Sequence, residues 1–128
     1  MMYVDSSVLL AALLGEDRRP AASFWDAPLT TSRLTDYEVW VRLHVEDVVD
    51  TYRGEATRML GRLQHLELEP TILDRVREPL PTVVRTLDAL HLVTALFLAE
   101  QTGALRLATY DRRLARAAEA CGLKTLEP

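Results

Sequence analysis

The sequence predicts an α/β fold in which helices cover both faces of a central, mostly parallel sheet. Short β-prone runs alternate with helical segments along the whole chain, which is typical of parallel sheets built from strand–helix–strand units. The chain has 128 residues, of which 48% are hydrophobic, and this is enough to bury one core. We therefore expect a single domain that spans residues 1–128.

The first strand and helix open the chain. A β-prone run ends at Asp5, and an apolar helical run follows over residues 8–14. Ser6 or Ser7 is a suitable N-cap for this helix, and Gly15 is a suitable C-terminal stop. Open α/β sheets bind ligands where a strand ends and a helix begins, so this junction is a candidate site.

The middle of the chain is predicted to contain two strands and several helices. The apolar residues that recur at helical spacing there are Tyr37, Trp40, Val41, Val45, Val48 and Val49. In order, we predict a short helix at 21–27, a strand at 29–31, a helix from Thr35 to Tyr52, a break at Arg53-Gly54, a helix at 55–65, a strand at 67–69 and a short helix at 71–77.

The last third of the chain follows a proline-rich break at residues 78–81. The segment 86–101 is apolar on nearly all sides, which predicts a buried helix. A strand at 105–109, a helix at 111–120 and a final strand at 123–126 complete the alternation.

Composition excludes several classes of protein. The single cysteine, Cys121, excludes an intrachain disulfide and a cysteine-based zinc site. We find no signal-peptide pattern and no uncharged apolar run of about 18 residues, so we expect a cytoplasmic protein without a membrane span. The net charge of −4 argues against broad adhesion to nucleic acid. It does not exclude a nuclease, because metal-binding acids are counted here without their metal.

Four acidic residues share a position at a strand end or early in a predicted helix: Asp5, Glu38, Asp88 and Asp111. In a parallel sheet every strand-to-helix junction lies on the same edge, so we expect these carboxylates to face one another. Such oxygen ligands suit Mg²⁺ or Mn²⁺ better than zinc or copper. A metal held there would activate water and clamp a phosphate, and the helix N-termini would add N–H donors.

Each acid also has a purely structural interpretation. Asp5 could terminate a strand, and Asp111 is a good N-cap. Glu38 completes a capping box that starts at Thr35, and the helix dipole favours Asp88 in a first turn. Asp36 competes with Glu38, since residues two apart lie on different sides of a helix.

Other polar residues near these acids stay open. His91 follows Asp88 by three residues, and we favour a hydrogen-bonded core histidine over a metal ligand. The three arginines that follow the last acid either contact a phosphate backbone or form a solvated helix face: Arg112, Arg113 and Arg116.

Four motifs, in this order and spacing, make the chain resemble the PIN-domain ribonucleases of the VapC type, which are toxins of bacterial toxin–antitoxin pairs. The motifs are Val4-Asp5-Ser6-Ser7, the Ser/Thr-rich lead 30–35 before Glu38, Leu87-Asp88-Ala89-Leu90-His91-Leu92, and Thr109-Tyr110-Asp111 with Leu114 three residues later.

The resemblance implies a PIN-like three-layer α/β/α sandwich and an Mg²⁺- or Mn²⁺-dependent endoribonuclease. It implies that the catalytic and metal-binding acids are Asp5, Glu38, Asp88 and Asp111, supported by the hydroxyls of Ser7 and Thr109. The expected partners are an RNA substrate, a second copy of the chain and an antitoxin whose C-terminal part covers the site. The helical hairpin 35–66 would be gripped by partners, which would place some of its apolar residues outside the core.

Two alternatives remain. One is a catalytically silent PIN domain that binds RNA or antitoxin. The other is a receiver-type signalling module, which needs an acceptor Asp after a central strand and a Lys after a late strand. Asp50 lies in a helical pattern and Lys124 lies close to the C-terminus, so this second alternative is disfavoured. No pattern in the sequence identifies the RNA.

Overall fold

A parallel sheet of five strands forms the middle layer of the protein. The computed structural model describes residues 1–128. Its strands are β1 (Met2–Val4), β2 (Leu29–Ser32), β3 (Gln64–Leu66), β4 (Arg106–Ala108) and β5 (Lys124–Leu126). Its α-helices are α1 (Ser6–Leu14), α2 (Arg33–Val45), α3 (Val49–Gly61), α4 (Pro70–Leu73), α5 (Thr86–Thr102) and α6 (Arg112–Ala120). The strands lie in the order β3-β2-β1-β4-β5, and all neighbours are parallel. The predicted three-layer fold is confirmed, with a sheet that is wholly parallel.

The strand order reverses beside β1, which lies at the centre of the sheet. The chain runs outward from β1 through β2 to β3, then returns through α5 to β4 and runs outward again to β5. Val4 pairs with Ala108, and the Asp5 N–H donates to the Ala108 carbonyl at 3.2 Å. The crevice between β1 and β4 is therefore the topological switch point, where ligands of such sheets bind.

Each face of the sheet has its own apolar core. Val4 packs with side chains of α1, α2 and α3 on one face, among them Leu9 and Leu43. Tyr3 packs with side chains of α5 and α6 on the other face, among them Leu92 and Leu114. Residues of α1 belong to the first core and residues of α6 to the second, so the helices that follow the adjacent strands β1 and β4 lie on opposite faces of the sheet.

The first helix begins one or two residues earlier than the predicted N-caps imply. Its N-cap is Asp5, whose side chain accepts a hydrogen bond from the Ser7 N–H, so neither Ser6 nor Ser7 is the cap. A carboxylate is as good an N-cap as a hydroxyl, and here it follows the strand directly. The predicted stop is confirmed, since Gly15 adopts a left-handed conformation with φ 68°.

The helical hairpin is divided at a different place from the predicted break at Arg53-Gly54. Helix α2 ends at Val45, and Gly54 lies inside α3. Asp47 has φ 55°, and the N–H groups of Asp47 and Val48 donate to the carbonyls of His44 and Leu43. This is a Schellman motif in which aspartate takes the position that glycine usually occupies, so no glycine marks it in the sequence.

Shorter elements differ from the predicted boundaries. The third strand lies at 64–66 rather than 67–69, because it pairs with Thr30–Ser32 and β2 ends there as α2 begins. The helix predicted at 21–27 is a 3₁₀ helix at Ala22–Asp26. The helix predicted at 71–77 is α4, with Pro70 in its first turn, continued by a 3₁₀ helix at Asp74–Arg77.

Three of the apolar residues that recur at helical spacing in the helical hairpin lie outside the core. The apolar residues that α2 buries are Val39 and Leu43, whereas Tyr37, Val41 and Val45 are 61%, 60% and 75% exposed. Both sets repeat at intervals of four residues, so the sequence alone does not distinguish them. The exposed set forms an apolar stripe, which we call the α2 stripe.

Helix α5 spans nearly the predicted residues and ends at Gly103, which has φ 75°. Its middle is buried, but Leu87 at its start is 48% exposed, so the helix is not apolar and covered on all sides. None of the helices combines the length and the hydrophobicity that crossing a membrane requires.

Candidate active site

The four acids that the sequence singled out lie at the C-terminal edge of the sheet. Asp5 follows β1 directly, and Asp111 caps the helix after β4. Glu38 lies in the second turn of α2, which follows β2, and Asp88 lies in the first turn of α5. Two acids therefore border the crevice at the switch point, and two approach it from helices.

Asp5 is a buried carboxylate, only 5% exposed. Its Oδ1 accepts hydrogen bonds from the Ser7 hydroxyl at 2.6 Å and from the Ser7 N–H at 3.2 Å. Burial raises the pKa of Asp5 to about 6, although the hydrogen bond from Ser7 opposes this shift. Repulsion by Glu38 adds to the rise, so the two carboxylates influence each other.

Ser7 and Thr109 connect the two strand-to-helix junctions. The Ser7 Oγ accepts from the Tyr110 N–H at 2.9 Å while it donates to Asp5. The Thr109 Oγ1 accepts from the Asp111 N–H at 2.9 Å and lies 3.4 Å from Ser7 Oγ. Hydroxyls that the sequence placed in supporting positions therefore hold the edges of the crevice together.

Asp111 is the N-cap of α6, as its structural interpretation requires. Its Oδ1 accepts hydrogen bonds from the N–H groups of Arg113 at 2.8 Å and of Leu114 at 3.2 Å. These bonds use one carboxylate oxygen and fix the position of the side chain beside the crevice. The structural interpretation and a role in chemistry are compatible, since the other oxygen makes no hydrogen bond within the chain.

Glu38 is the partly exposed end of a chain of hydrogen bonds that runs into the core. The His91 Nε2 donates to Glu38 Oε1, and the Tyr3 hydroxyl lies 2.7 Å from His91 Nδ1. A carboxylate only accepts, so Nε2 carries a proton, and the Nδ1 of a neutral imidazole then accepts from Tyr3. His91 is 2% exposed, which confirms a hydrogen-bonded core histidine, but it orients Glu38 rather than Asp88.

Sequence analysis missed Tyr3, which is fully buried at the centre of the sheet. Burial raises its pKa far above the ordinary value, so the hydroxyl keeps its proton and remains a donor. A signal was present, because residues two apart in a strand point to the same face. Tyr3 precedes Asp5 by two residues and so points toward the layer that contains α5.

Asp88 is half-buried, and its side chain makes no hydrogen bond within the chain. Partial burial raises its pKa, and repulsion by Asp111 and Glu38 adds to that rise. Arg85 is close enough to oppose this rise. Of the four acids, Asp88 is thus the least constrained.

Asp36 is excluded from this group by its contacts. Its carboxylate pairs with Arg33 at 3.2 Å, and Arg33 also bonds Glu67 on the surface. The capping box proposed for Thr35 and Glu38 does not form, because α2 begins two residues before Thr35. The Thr35 hydroxyl instead lies 2.6 Å from the Thr31 hydroxyl in the core.

The four acids have the chemistry that an oxygen-liganded divalent cation requires. No lysine or arginine forms an ion pair with any of them, and the only basic side chain that contacts the group is His91, through its hydrogen bond to Glu38. Burial raises the pKa values of Asp5 and Asp88, repulsion by neighbouring acids adds to the rise, and a cation would relieve that repulsion. No three of the acidic, histidine or cysteine side chains converge closely enough to hold an ion as they stand. Charges repel one another over longer distances than those at which side chains coordinate a metal. The acids therefore influence one another's pKa values although no three of them are close enough to coordinate one ion.

The residues that a receiver module would use lie away from this edge. Asp50 is exposed in the first turn of α3, and Lys124 begins β5, at the opposite edge of a parallel sheet. Neither residue borders the crevice, so the geometry gives no support to a phosphorylated aspartate there.

Comparison with known proteins points to one family. The sequence model of the PIN domain matches residues 2–120. Ribonuclease VapC46 of Mycobacterium tuberculosis H37Rv is 34% identical, and the alignment covers 99% of this chain and 97% of that protein. Ribonuclease VapC35 of M. tuberculosis CDC 1551 is 29% identical over 100% of this chain and 97% of that protein.

Proposed function

The chain belongs to the PIN-domain family, among its VapC-type members, and from this premise we propose that it is a metal-dependent endoribonuclease and the toxin of a toxin–antitoxin pair. The observation that carries the proposal is the group of four carboxylates at the switch point of the sheet, none of them paired with lysine or arginine. The relatives named as ribonucleases support the reaction class. We propose that residues 1–128 form a single PIN domain.

The residues that would hold Mg²⁺ or Mn²⁺ are Asp5, Glu38, Asp88 and Asp111. When bound, the cation would act as a Lewis acid on the phosphate and lower the pKa of water. Carboxylate oxygens are the ligands that these hard cations select. The cation would also neutralise charges that otherwise repel RNA from this edge.

The protein's own side chains orient the group. Ser7 and Thr109 hold Asp5 and the segment at Asp111 through hydrogen bonds of 2.6 to 2.9 Å. The N–H groups at the start of α1 and α6 bond Asp5 and Asp111, which keeps one oxygen of each carboxylate fixed. Glu38 is held by a hydrogen bond from the buried His91. We assign no separate general base, because the one buried histidine is already bonded at both nitrogens.

The proposed partners are RNA, an antitoxin protein and a second copy of the chain, and the proposed location is the cytoplasm. The α2 stripe supports a protein partner, because large apolar side chains in a continuous row are uncommon on a surface that only contacts water. The stripe lies on the helical hairpin 35–66, which we expected partner proteins to bind.

Cleavage of a labelled pool of structured RNAs tests the proposal. The purified protein should cut with Mg²⁺ or Mn²⁺ and not with EDTA, and Asp88→Asn should remove cutting. Asp36→Asn is the matched control, since it removes an acid of α2 that pairs with Arg33 instead. Equal cutting by wild type and Asp88→Asn would sink the site assignment.

A catalytically silent PIN domain is the second candidate function. The observation that favours it is that no three acids converge and that Glu38 is already engaged by His91. Calorimetry separates the two candidates when it is combined with the cleavage assay. Binding of Mg²⁺ without cleavage of any RNA in the pool would favour the silent domain.

A further inference from the structure

An arginine-lined groove adjoins the acid group on the α6 side. It has a volume of about 410 Å³ and is lined by Asp88, by Arg85 and its neighbours Val83 and Val84, and by Arg113, Arg116 and Ala117 of α6. Because Asp88 lines it, the groove opens directly onto the proposed reaction site. We refer to it as the arginine groove.

The three arginines of this groove have no partner within the chain. Other arginines, such as Arg33, Arg42 and Arg75, are in ion pairs with glutamate. The side chains of Arg85, Arg113 and Arg116 form neither ion pairs nor hydrogen bonds, and they share the groove with a single carboxylate. A chain with net charge −4 thus presents a locally positive surface beside its acids.

The proline-rich segment supplies one wall of the groove. Leu80 and Val84 pack against the core beneath α5 and α6, which anchors the segment. Val83 between them is fully exposed, and Arg85 follows on the groove side. The rings of Pro79 and Pro81 further restrict the backbone of this segment, and its Arg85 lines the groove together with Arg113 and Arg116 of α6.

We propose that the arginine groove binds the phosphate backbone of the RNA strand next to the phosphate that is cut. Guanidinium groups match phosphate oxygens in geometry and stay charged at any physiological pH. The groove contains no aromatic side chain on which a base could stack. Recognition here is therefore of the backbone, and it positions RNA without reading its sequence.

This inference rests on the proposed function but has a test that does not need cleavage. Binding of a fluorescein-labelled oligouridylate is measured by anisotropy in EDTA, with Arg113→Gln, Arg116→Gln and Arg85→Gln. Near 0.1 M salt each substitution should weaken binding about fivefold and lower the slope of log affinity against log salt by about 0.7. A labelled oligoadenylate should lose the same factor, because bases are not read.

Arg58→Gln is the matched control. Arg58 is also exposed and free of ion pairs, but it lines a separate cavity that contains none of the four acids. It should bind RNA as the wild type does. Thermal unfolding of all variants checks that each one folds.

The outcomes separate this inference from the proposed function. Loss of RNA binding in the groove variants alone supports the groove, even if the wild type cuts no RNA and the proposed function fails. Cleavage by the wild type with unchanged RNA binding in the groove variants would overturn the groove alone. If those variants lost only the binding of an acidic protein, the groove would be a protein site and the proposal would likewise be overturned.

Discussion

The two acids at strand ends and the two acids on helices are held by different kinds of contact. Asp5 and Asp111 each accept N–H groups from the first turn of the helix that they begin. Glu38 is held by His91, which lies 53 residues away along the chain, and Asp88 has no hydrogen-bonded partner. The first pair is positioned by local structure, whereas the second pair depends on packing of α2 and α5.

This difference suggests a division of roles. Asp5 and Asp111 are fixed before any cation binds, because moving them would break the N-caps of α1 and α6. Glu38 is held only by its hydrogen bond to His91 and Asp88 by no hydrogen bond, so these two side chains form an adjustable pair, whose shift would bring the carboxylates to a cation that no three of them now surround. The predictions below test whether the fixed pair and the adjustable pair respond differently to substitution.

Asp5→Asn should have the largest effect: it should lower the cleavage rate and raise the stability of the metal-free protein. Cleavage should fall more than about a hundredfold, since the loss of even a supporting partner of a metal ligand costs 10- to 100-fold. The metal-free protein should become more stable at pH 7, because asparagine removes a buried charge. The pKa of Asp5 is raised from 3.8 to about 6, and two units correspond to about 3 kcal/mol.

The sign of this effect defines a pH window. Folded wild type holds the Asp5 proton to higher pH than the unfolded chain does, so its stability should fall as pH rises from about 4 to about 6 and then level off. Asp5→Asn should lack that decline. Urea unfolding in EDTA from pH 4 to pH 8 measures the free energy of unfolding of both proteins. If that free energy had the same pH dependence in both, burial of the Asp5 carboxylate would not destabilise the folded wild type.

Tyr3→Phe should have the next largest effect, through the adjustable pair. The change leaves His91 Nδ1 without its donor in a fully buried position, which should cost about 1–3 kcal/mol in the free energy of unfolding. Glu38 should then be held less well, and Mg²⁺ affinity should fall about tenfold. Urea unfolding and calorimetry measure the two quantities.

The matched control for Tyr3→Phe is Tyr52→Phe, because the Tyr52 hydroxyl makes no hydrogen bond within the chain. It should change neither stability nor Mg²⁺ affinity. If Tyr3→Phe lowered stability but left Mg²⁺ affinity intact, then the Tyr3–His91 pair would support the core alone and would not position Glu38.

The difference between contacts made by neighbouring residues and contacts made by residues far apart in the chain also explains how much of the structure the sequence could predict. The parallel sheet, the acids at the ends of β1 and β4 and the glycine stop of α1 were predicted because neighbouring residues determine them. The Tyr3–His91–Glu38 chain joins residues 88 and 53 positions apart, so no local pattern indicates it. The exposure of the α2 stripe has no local signal either. Only the packing of α2 against α1 and α3 selects which of its two apolar rows is buried.

Ser7→Ala should have a smaller effect, on the fixed pair. It removes the hydroxyl that donates to Asp5 and accepts from the Tyr110 N–H. We expect a loss of about 1 kcal/mol in stability and a further rise in the pKa of Asp5, since a donor to its charged form is lost. Ser6→Ala is the matched control, because the neighbouring Ser6 hydroxyl makes no hydrogen bond within the chain. Equal stability and equal pH profiles for the two variants would contradict a role for the Ser7 hydroxyl.

Arg33→Gln should have the smallest effect and tests where the acid group ends. It releases Asp36 and Glu67 from their ion pairs with Arg33, and pairs near the surface contribute little to stability. The melting temperature, Mg²⁺ affinity and cleavage should all stay at wild-type values, because Asp36 and Glu38 point to different sides of the helix. A gain in Mg²⁺ affinity would mean that the released Asp36 reaches the cation. The adjustable part of the site would then include an acid that the present structure holds outside it, and the distinction between Glu38 and Asp36 would rest on Arg33 rather than on the helix.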